Sequence, residues 1–190
     1  MIEQLFKDIY DEKLAKGAIV NDRMEGFKED YLVLHILIKR FRPTTFMEIG
    51  THTGMGTMII KNALGKYSIL FSLDLPDDKA FKSKQHPLSE GKKGVGFECT
   101  LPYHQLREDS SLFNYEFPKC EGYFVDGEHT FENVFHETSC IVKNKPKIIV
   151  YHDADIPEVY NGIVEGMKGQ PYSLYRVTDT RILYALKKQQ

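Results

Sequence analysis

The chain of 190 residues is long enough for one domain with a sizeable core. Hydrophobic residues make up 42% and charged residues 27%, which is ordinary for a folded globular protein and argues against disorder. The formal net charge of −2 gives no general attraction to nucleic acid or to an acidic membrane surface, so neither is expected as a partner.

The cysteines and the N-terminus bear on the cellular compartment. Cys99, Cys120 and Cys140 are widely spaced and form no CxxC pair, so nothing predicts a zinc site or requires an oxidising compartment. The N-terminal segment lacks a basic region followed by an apolar run. No apolar stretch approaches the roughly 20 residues that span a bilayer. We therefore expect a cytoplasmic protein.

The first forty residues predict two helices. One helical face would be shared by Ile2, Leu5, Phe6, Ile9 and Tyr10. This first helix is expected to end near Gly17. A second helix, from about 27 to 41, contains YLVLHILIKRF, which is apolar almost all round and therefore predicted to be buried.

Strands and helices then alternate. Apolar runs predict strands at 44–50, 67–75, within 96–107, at 121–127 and at 147–153. Helices are predicted after the first and fourth of these strands. A further helix would open at Pro157, with Asp155 and Glu158 as a capping box.

The C-terminal part predicts how the sheet closes. YSLYRV and RILYALK are separated by the turn-like TDT, which indicates a pair of antiparallel strands. Continuous apolar strands between helices indicate a parallel sheet covered on both faces, an α/β fold. We expect a single domain over 1–190, with an N-terminal helical cap at 1–42 and a core at 44–187.

Polar residues follow each predicted strand, at the sheet edge where such folds bind ligands. They are Glu48, Asp74, Glu108, Asp109, Ser110, Asp126, Glu128, His129, His152 and Asp153. Gly50 and Gly54 would let the backbone turn tightly, and the next helix would offer free N–H groups to a carboxylate. Asp74, at the end of the next strand, is placed like the acid that binds ribose hydroxyls in nucleotide-binding units.

Five segments in this order resemble the motifs of class I S-adenosylmethionine-dependent methyltransferases: FMEIGTHTGMGT, FSLDL, REDSSLF, YFVDGEHTFENV and IVYHDAD. The resemblance covers residues 44–187 and is closest to the small-molecule O-methyltransferases of the macrocin type. It implies a doubly wound, seven-stranded mixed sheet with an antiparallel terminal strand pair. It also implies transfer of a methyl group to a small-molecule acceptor, through a hydroxyl oxygen.

The resemblance also implies roles for individual residues. The methionine part of S-adenosylmethionine would be surrounded by Glu48, Gly50, Thr51 and Gly54. Asp74 would bind both ribose hydroxyls, and Asp109 and Ser110 would lie near the adenine. Asp126 would lie where the sulfonium, a metal and the acceptor meet.

A divalent metal, Mg²⁺ or Mn²⁺, is a further expectation from the resemblance. Asp126 and Asp153 match two of the acidic ligand positions, whereas His152 stands where the family often has Asp. A histidine favours Mn²⁺, Zn²⁺ or Fe²⁺ over Mg²⁺, or a site with no metal. The candidates for removing the acceptor's proton are Glu128, His129 and His152.

The segment 76–95 carries several lysines and could form a lid over the site or a solvated loop. A homodimer could supply a further wall. Two other functions stay open: a non-catalytic S-adenosylmethionine-binding module or partner-dependent subunit, and a nicotinamide oxidoreductase. GTHTGMGT lacks the GxGxxG pattern of dinucleotide sites, which argues against the oxidoreductase.

Overall fold

The computed structural model describes residues 2–19, 26–76, 95–96, 98–112 and 118–188. The strands are β1 (Ile2–Leu5), β2 (Thr45–Ile49), β3 (Ile69–Asp74), β4 (His104–Arg107), β5 (Gly122–Val125), β6 (Ile148–Tyr151), β7 (Tyr172–Thr178) and β8 (Leu183–Lys187). They form one sheet in the order β1-β7-β8-β6-β5-β2-β3-β4. β8 is antiparallel to both of its neighbours, and all the other neighbouring pairs are parallel. The predicted mixed α/β sheet with an antiparallel terminal pair is confirmed.

The helices are α1 (Phe6–Ile9), α2 (Glu12–Ala15), α3 (Lys28–Phe41), α4 (Met55–Ala63), α5 (Phe131–Ile141) and α6 (Pro157–Gly166). Short 3₁₀ helices cover Ser110–Leu112 and Val142–Asn144. α3 is buried along much of its length, as its composition predicts. Among the helices in the described ranges, none is both long and apolar enough to cross a bilayer.

The N-terminal segment departs from the prediction. The sheet has eight strands rather than seven, because residues 2–5 form a strand and not the start of a helix running to Gly17. β1 pairs in parallel with β7, from Ile2 opposite Tyr175 to Leu5 opposite Thr178. This pairing satisfies backbone N–H and C=O groups that an exposed edge of β7 would leave open, which outweighs the local helical pattern.

The capping box predicted for α6 was wrong, although the helix does begin at Pro157. The N-cap residue is Ile156, in an extended conformation, and no side chain caps the helix. Ile156 packs against the core and its N–H bonds to the carbonyl of Asp153 at 2.9 Å. The helix therefore begins one residue later than a helix capped by Asp155 would begin.

The sheet is covered on both faces. Val134 and Ile163 of α5 and α6 pack on one face, whereas Leu34 and Ile60 of α3 and α4 pack on the other. β5 and β6 are buried along their whole length, so their sequences are apolar without alternation. The helical layers leave the carboxyl ends of the strands as the open edge.

The strand order reverses between β2 and β5. From β2 the chain continues outward to β3 and β4, whereas β5 is followed on the other side by β6. A crevice therefore opens between the carboxyl ends of β2 and β5, which is where open α/β sheets bind their ligands.

Close packing between α5 and α6 gives a test of the fold. A Cβ at Gly166 would lie 2.7 Å from Cβ of Thr138, so we expect Gly166→Ala to lower the free energy of unfolding by about 1–3 kcal/mol. Urea denaturation measures this change. Val164→Ala, at an exposed position on the same helix, should change stability by about 0.5 kcal/mol or less. Equal stability of Gly166→Ala and the wild type would contradict the observed helix contact.

Candidate functional site

A cavity of about 660 Å³ lies at the carboxyl ends of the strands. Most of the predicted site residues line it: Glu48, Gly50, Thr51, Asp74, Asp109, Ser110, Asp126, Glu128, His129, His152 and Asp153. Gly54 lies instead at the N-cap of α4. The structure thus brings together residues from five strand ends into one pocket of the size that small ligands occupy.

The loop from Gly50 to Gly54 forms the turn between β2 and α4. Both glycines have a positive φ, +98° at Gly50 and +92° at Gly54. A Cβ at Gly50 would lie 2.0 Å from the carbonyl oxygen of Asp126, so only glycine fits against the end of β5. No side chain caps the first turn of α4, which leaves this helix N-terminus suited to a ligand carboxylate.

Glu48 is a fully buried carboxyl group beside this loop. One of its oxygens accepts hydrogen bonds from the hydroxyls of Thr57 and Ser72, both at 2.5 Å, and the other oxygen has no partner. Burial raises the pKa of Glu48 to about 8, although the two hydroxyl donors act in the opposite direction. A Cβ at position 56 would lie 2.7 Å from the unpartnered oxygen, so Gly56 leaves room for it.

Thr51 belongs to the hydrogen-bond network that holds Glu48. Its hydroxyl lies 2.6 Å from that of Ser72 and accepts from the side-chain amide of Gln105 at 3.0 Å. The network links β2, β3 and β4 below the cavity floor. Thr51 therefore orders the carboxyl group of Glu48 in addition to lining the cavity.

Asp74 ends β3 and is held by the backbone. One carboxylate oxygen accepts the N–H of His52 at 2.6 Å, and the other accepts the N–H of Leu75 at 2.7 Å. Burial raises the pKa of Asp74, although these two hydrogen bonds act in the opposite direction. Each carboxylate oxygen has a second lone pair, so the fixed carboxylate can still accept hydrogen bonds from a pair of hydroxyls.

Ser110 contacts a buried acid that the sequence analysis missed. The Ser110 hydroxyl donates to Glu137 on α5 at 2.6 Å. Burial raises the pKa of Glu137 to about 7. The sequence signal that could have revealed Glu137 is a carboxyl group on the apolar face of α5, between Val134 and Ile141. The neighbouring Asp109 accepts hydrogen bonds from residue 111 and lines the cavity.

Across the cavity, two imidazoles lie among carboxylates. Nδ1 of His152 is 2.9 Å from Oδ2 of Asp153 and 3.3 Å from Oδ1 of Asp126. Nε2 of His129 is 3.1 Å from the same Asp153 oxygen and 4.0 Å from Oδ1 of Asp126. Donor atoms of Asp126, His152 and Asp153 lie within 4.8 Å of one another, a spacing that a metal ion can bridge. We refer to these four residues as the acid–imidazole cluster.

The electrostatics of the cluster favour charged groups despite burial. Burial opposes ionisation of His152, but Asp126 and the other nearby carboxylates outweigh it and raise its pKa to about 12. Contacts with Asp126 and Asp153 raise the pKa of His129 to about 9. For Asp126 and Asp153 burial also acts against ionisation, and the imidazoles lower both pKa values. The cluster can thus hold either protons on its imidazoles or a cation among its donor atoms.

Asp30 on α3 is a second acid that the sequence analysis missed. It is 3% exposed, and its Oδ2 lies 3.2 Å from Nε2 of His152. Its other oxygen accepts the N–H of Arg181 at 2.9 Å. In the sequence Asp30 looks like an ordinary acid in the first turn of a helix, so no local signal indicated a partner 122 residues away.

The remaining walls of the cavity come from elements for which the sequence predicted no role in the site. Phe27 and Tyr31 enter from the start of α3, and Arg181 from the β7–β8 turn. The Arg181 guanidinium stacks over the Phe27 ring at 4.4 Å and lies 3.3 Å from Asp153. Most of the predicted lid segment 76–95 lies outside the described residues.

Comparisons with solved structures agree with the fold. An O-methyltransferase from Bacillus cereus in complex with SAH is 12% identical, with a TM-score of 0.54, over 96% of this chain and 90% of that one. The O-methyltransferase TomG from Streptomyces achromogenes, involved in tomaymycin synthesis and in complex with SAM, is 17% identical, with a TM-score of 0.56 and coverages of 95% and 91%.

The SAH-bound methyltransferase PaMTH1 from Podospora anserina has a TM-score of 0.56 at 10% identity, over 86% of this chain and 79% of that one. No family model matches the sequence, and no curated protein matches it. At these identities the likeness establishes the Rossmann-like methyltransferase fold.

The buried Glu48 gives a pH-dependent prediction. Its pKa is raised on folding from 4.5 to about 8, so the folded state retains a proton that the unfolded state loses between these values. Glu48 therefore makes stability fall as pH rises through this window, by on the order of 1 kcal/mol per pH unit. Glu48→Gln removes the titration and keeps an oxygen acceptor for the two hydroxyls.

We expect the stability of Glu48→Gln relative to the wild type to increase from pH 5 to pH 8, as measured by urea denaturation at several pH values. Glu165→Gln, on the exposed surface of α6, is the matched control and should follow the wild-type pH profile. Parallel profiles for Glu48→Gln and the wild type would show that Glu48 is ionised in the folded protein.

Proposed function

We propose that this chain is an S-adenosylmethionine-dependent methyltransferase that transfers a methyl group to a hydroxyl oxygen of a small molecule. The observation that carries the proposal is the backbone-fixed carboxylate of Asp74, beside the glycine turn at Gly50 and across the cavity from Asp126. The shared fold supports it, since the three similar structures described above contain SAH or SAM.

The cavity offers a partner for each polar part of S-adenosylmethionine. Asp74 is suited to accept from both ribose hydroxyls, and the uncapped start of α4 is suited to the methionine carboxylate. The unpartnered oxygen of Glu48 is suited to the ammonium group, whose positive charge would favour the ionised carboxylate. Asp109 and Ser110, which follow β4, lie beyond Asp74 on the side proposed for the adenine.

The acceptor would lie at the acid–imidazole cluster. The sulfonium methyl is already activated, so the protein must align the acceptor and help to remove its proton. Phe27, Tyr31 and Arg181 are the walls suited to hold a small acceptor there. Glu128 also lines this part of the cavity and is the candidate proton acceptor, whereas His129 lies against the carboxylates of Asp126 and Asp153.

A divalent cation fits the donor atoms of Asp126, His152 and Asp153, and the imidazole of His152 suits Mn²⁺ better than Mg²⁺. It would lower the pKa of an acceptor hydroxyl and orient it toward the methyl group. His152 is better suited to be a ligand than a base, because its Nε2 faces Asp30 and its Nδ1 faces the two carboxylates.

Asp74→Asn is the direct test of this proposal. Asn keeps an acceptor oxygen for one of the two loop N–H groups, but it loses the charge and the second acceptor oxygen that the other N–H and a ribose hydroxyl would use. We expect calorimetric titration with S-adenosylmethionine to give a micromolar dissociation constant for the wild type, about −8 kcal/mol. The variant should bind at least about tenfold more weakly, a loss of roughly 1.4 kcal/mol.

Asp8→Asn, at an exposed position on α1, is the matched control and should bind as the wild type does. Wild-type affinity in Asp74→Asn, or no binding by the wild type, would refute the proposed cofactor site. Binding without SAH formation on any pool of hydroxylated small molecules would instead favour a non-catalytic S-adenosylmethionine-binding module.

A further inference from the structure

We infer that His129 completes a two-histidine, two-aspartate site for a first-row transition-metal dication, with Asp30 as the carboxylate that orients His152. The inference deepens the proposed function and rests on its metal-assisted part. It assigns a fourth ligand and a positioning residue, and it excludes Mg²⁺ as the preferred ion.

The distances within the acid–imidazole cluster carry the first step. Ligand bonds of about 2.0–2.2 Å place neighbouring donor atoms of a four- or six-coordinate ion roughly 3.0–3.4 Å apart. The separations from His152 Nδ1 to the two aspartates are 2.9 and 3.3 Å, and that from His129 Nε2 to Asp153 is 3.1 Å. His129 Nε2 is also 4.0 Å from Oδ1 of Asp126, which is the separation of donors on opposite sides of a six-coordinate ion. His129 therefore fits as a fourth ligand of an octahedral site, next to the group formed by Asp126, His152 and Asp153.

The orientation of His152 is the second step. The side chain is 4% exposed, and Nδ1 makes no hydrogen bond of good geometry although two carboxylate oxygens lie within 3.3 Å. A buried ring nitrogen that lies close to two carboxylate oxygens but is aimed at neither has the arrangement of ligands around a shared metal ion. The two aspartates carry two negative charges, which a divalent cation would neutralise.

Asp30 supplies the third step. A metal-binding histidine almost always donates its other ring N–H to a carboxylate, a carbonyl or water, which fixes the ring and its tautomer. Nε2 of His152 lies 3.2 Å from Asp30, which leaves Nδ1 free to face the cavity. Asp30 is itself fixed by the backbone N–H of Arg181.

The donor chemistry selects the ion. Mg²⁺ prefers oxygen ligands in a near-ideal octahedron, whereas imidazole nitrogens suit zinc, iron, cobalt and nickel. With two imidazoles among four protein donors, the site should bind Co²⁺ or Zn²⁺ more tightly than Mn²⁺, and Mn²⁺ more tightly than Mg²⁺. Most protein sites bind Co²⁺ and Zn²⁺ more tightly than Mn²⁺, so the two imidazoles are reported by the size of the preference over Mg²⁺, which should exceed that of an oxygen-only site.

The test uses Co²⁺ as the probe, added to EDTA-treated, desalted full-length protein. Calorimetry gives its affinity, and its visible absorption reports the ligands. We expect His129→Gln to weaken Co²⁺ binding at least tenfold and to change the spectrum. Asp30→Asn, which keeps an acceptor for Arg181, should weaken Co²⁺ binding about 10–100-fold. His136→Gln, a histidine on α5 that does not line the cavity, should match the wild type.

If His129→Gln binds Co²⁺ with the wild-type affinity and spectrum, the assignment of His129 as fourth ligand is overturned. If Asp30→Asn does so, the positioning role of Asp30 is overturned. Displacement of Co²⁺ by an equal concentration of Mg²⁺ would overturn the metal preference. Thermal unfolding in EDTA identifies a variant that fails to fold, and His129→Asn then replaces it. S-adenosylmethionine binding without any Co²⁺ binding would overturn this inference alone, whereas Co²⁺ binding without S-adenosylmethionine binding would refute the proposed function.

Discussion

The close approach of the Gly50 turn to the end of β5 is the constraint on which the site depends. The N–H of Asp126 bonds to the carbonyl of Ile49 at 2.8 Å, and the Asp126 carbonyl occupies the space where a side chain at position 50 would lie. Because the strand order reverses at this point, the glycine turn with Asp74 and the acid–imidazole cluster face one cavity from opposite sides. A larger residue at position 50 would separate the two halves.

The buried acids of the site fall into two electrostatic groups. Glu48 and Glu137 have hydroxyl neighbours, which do not compensate for burial, so their pKa values rise. Asp126 and Asp153 have imidazole neighbours, and their pKa values fall although burial acts against ionisation. Glu48 lines the cavity and suits a ligand that brings its own positive charge, whereas Asp126 and Asp153 suit a bound cation or protonated imidazoles. The nature of the neighbouring side chain therefore decides which role each acid can take.

Helix α3 links the N-terminal part of the chain to the chemistry. Its apolar side chains, Leu34 among them, pack against the sheet, while Asp30 and Tyr31 reach the acid–imidazole cluster or the cavity. The Tyr31 ring stacks on His152 at 6.0 Å, so the imidazole is fixed by an aromatic ring as well as by a carboxylate. Helix α3, whose sequence predicts only a buried helix packed on the sheet, thus also orients His152.

The sequence by itself determined the α/β class, the strands from β2 onward, the antiparallel end of the sheet and the set of polar strand ends. These follow from apolar periodicity and from the rule that ligands bind at the carboxyl ends of parallel strands. Only the tertiary structure decided that residues 2–5 form a strand, because the hydrogen-bonding edge of β7 is supplied by residues 172–178. It also decided that Asp30 meets His152 and that Glu137 meets Ser110, since a contact across 122 or 27 residues leaves no periodic signal in the chain.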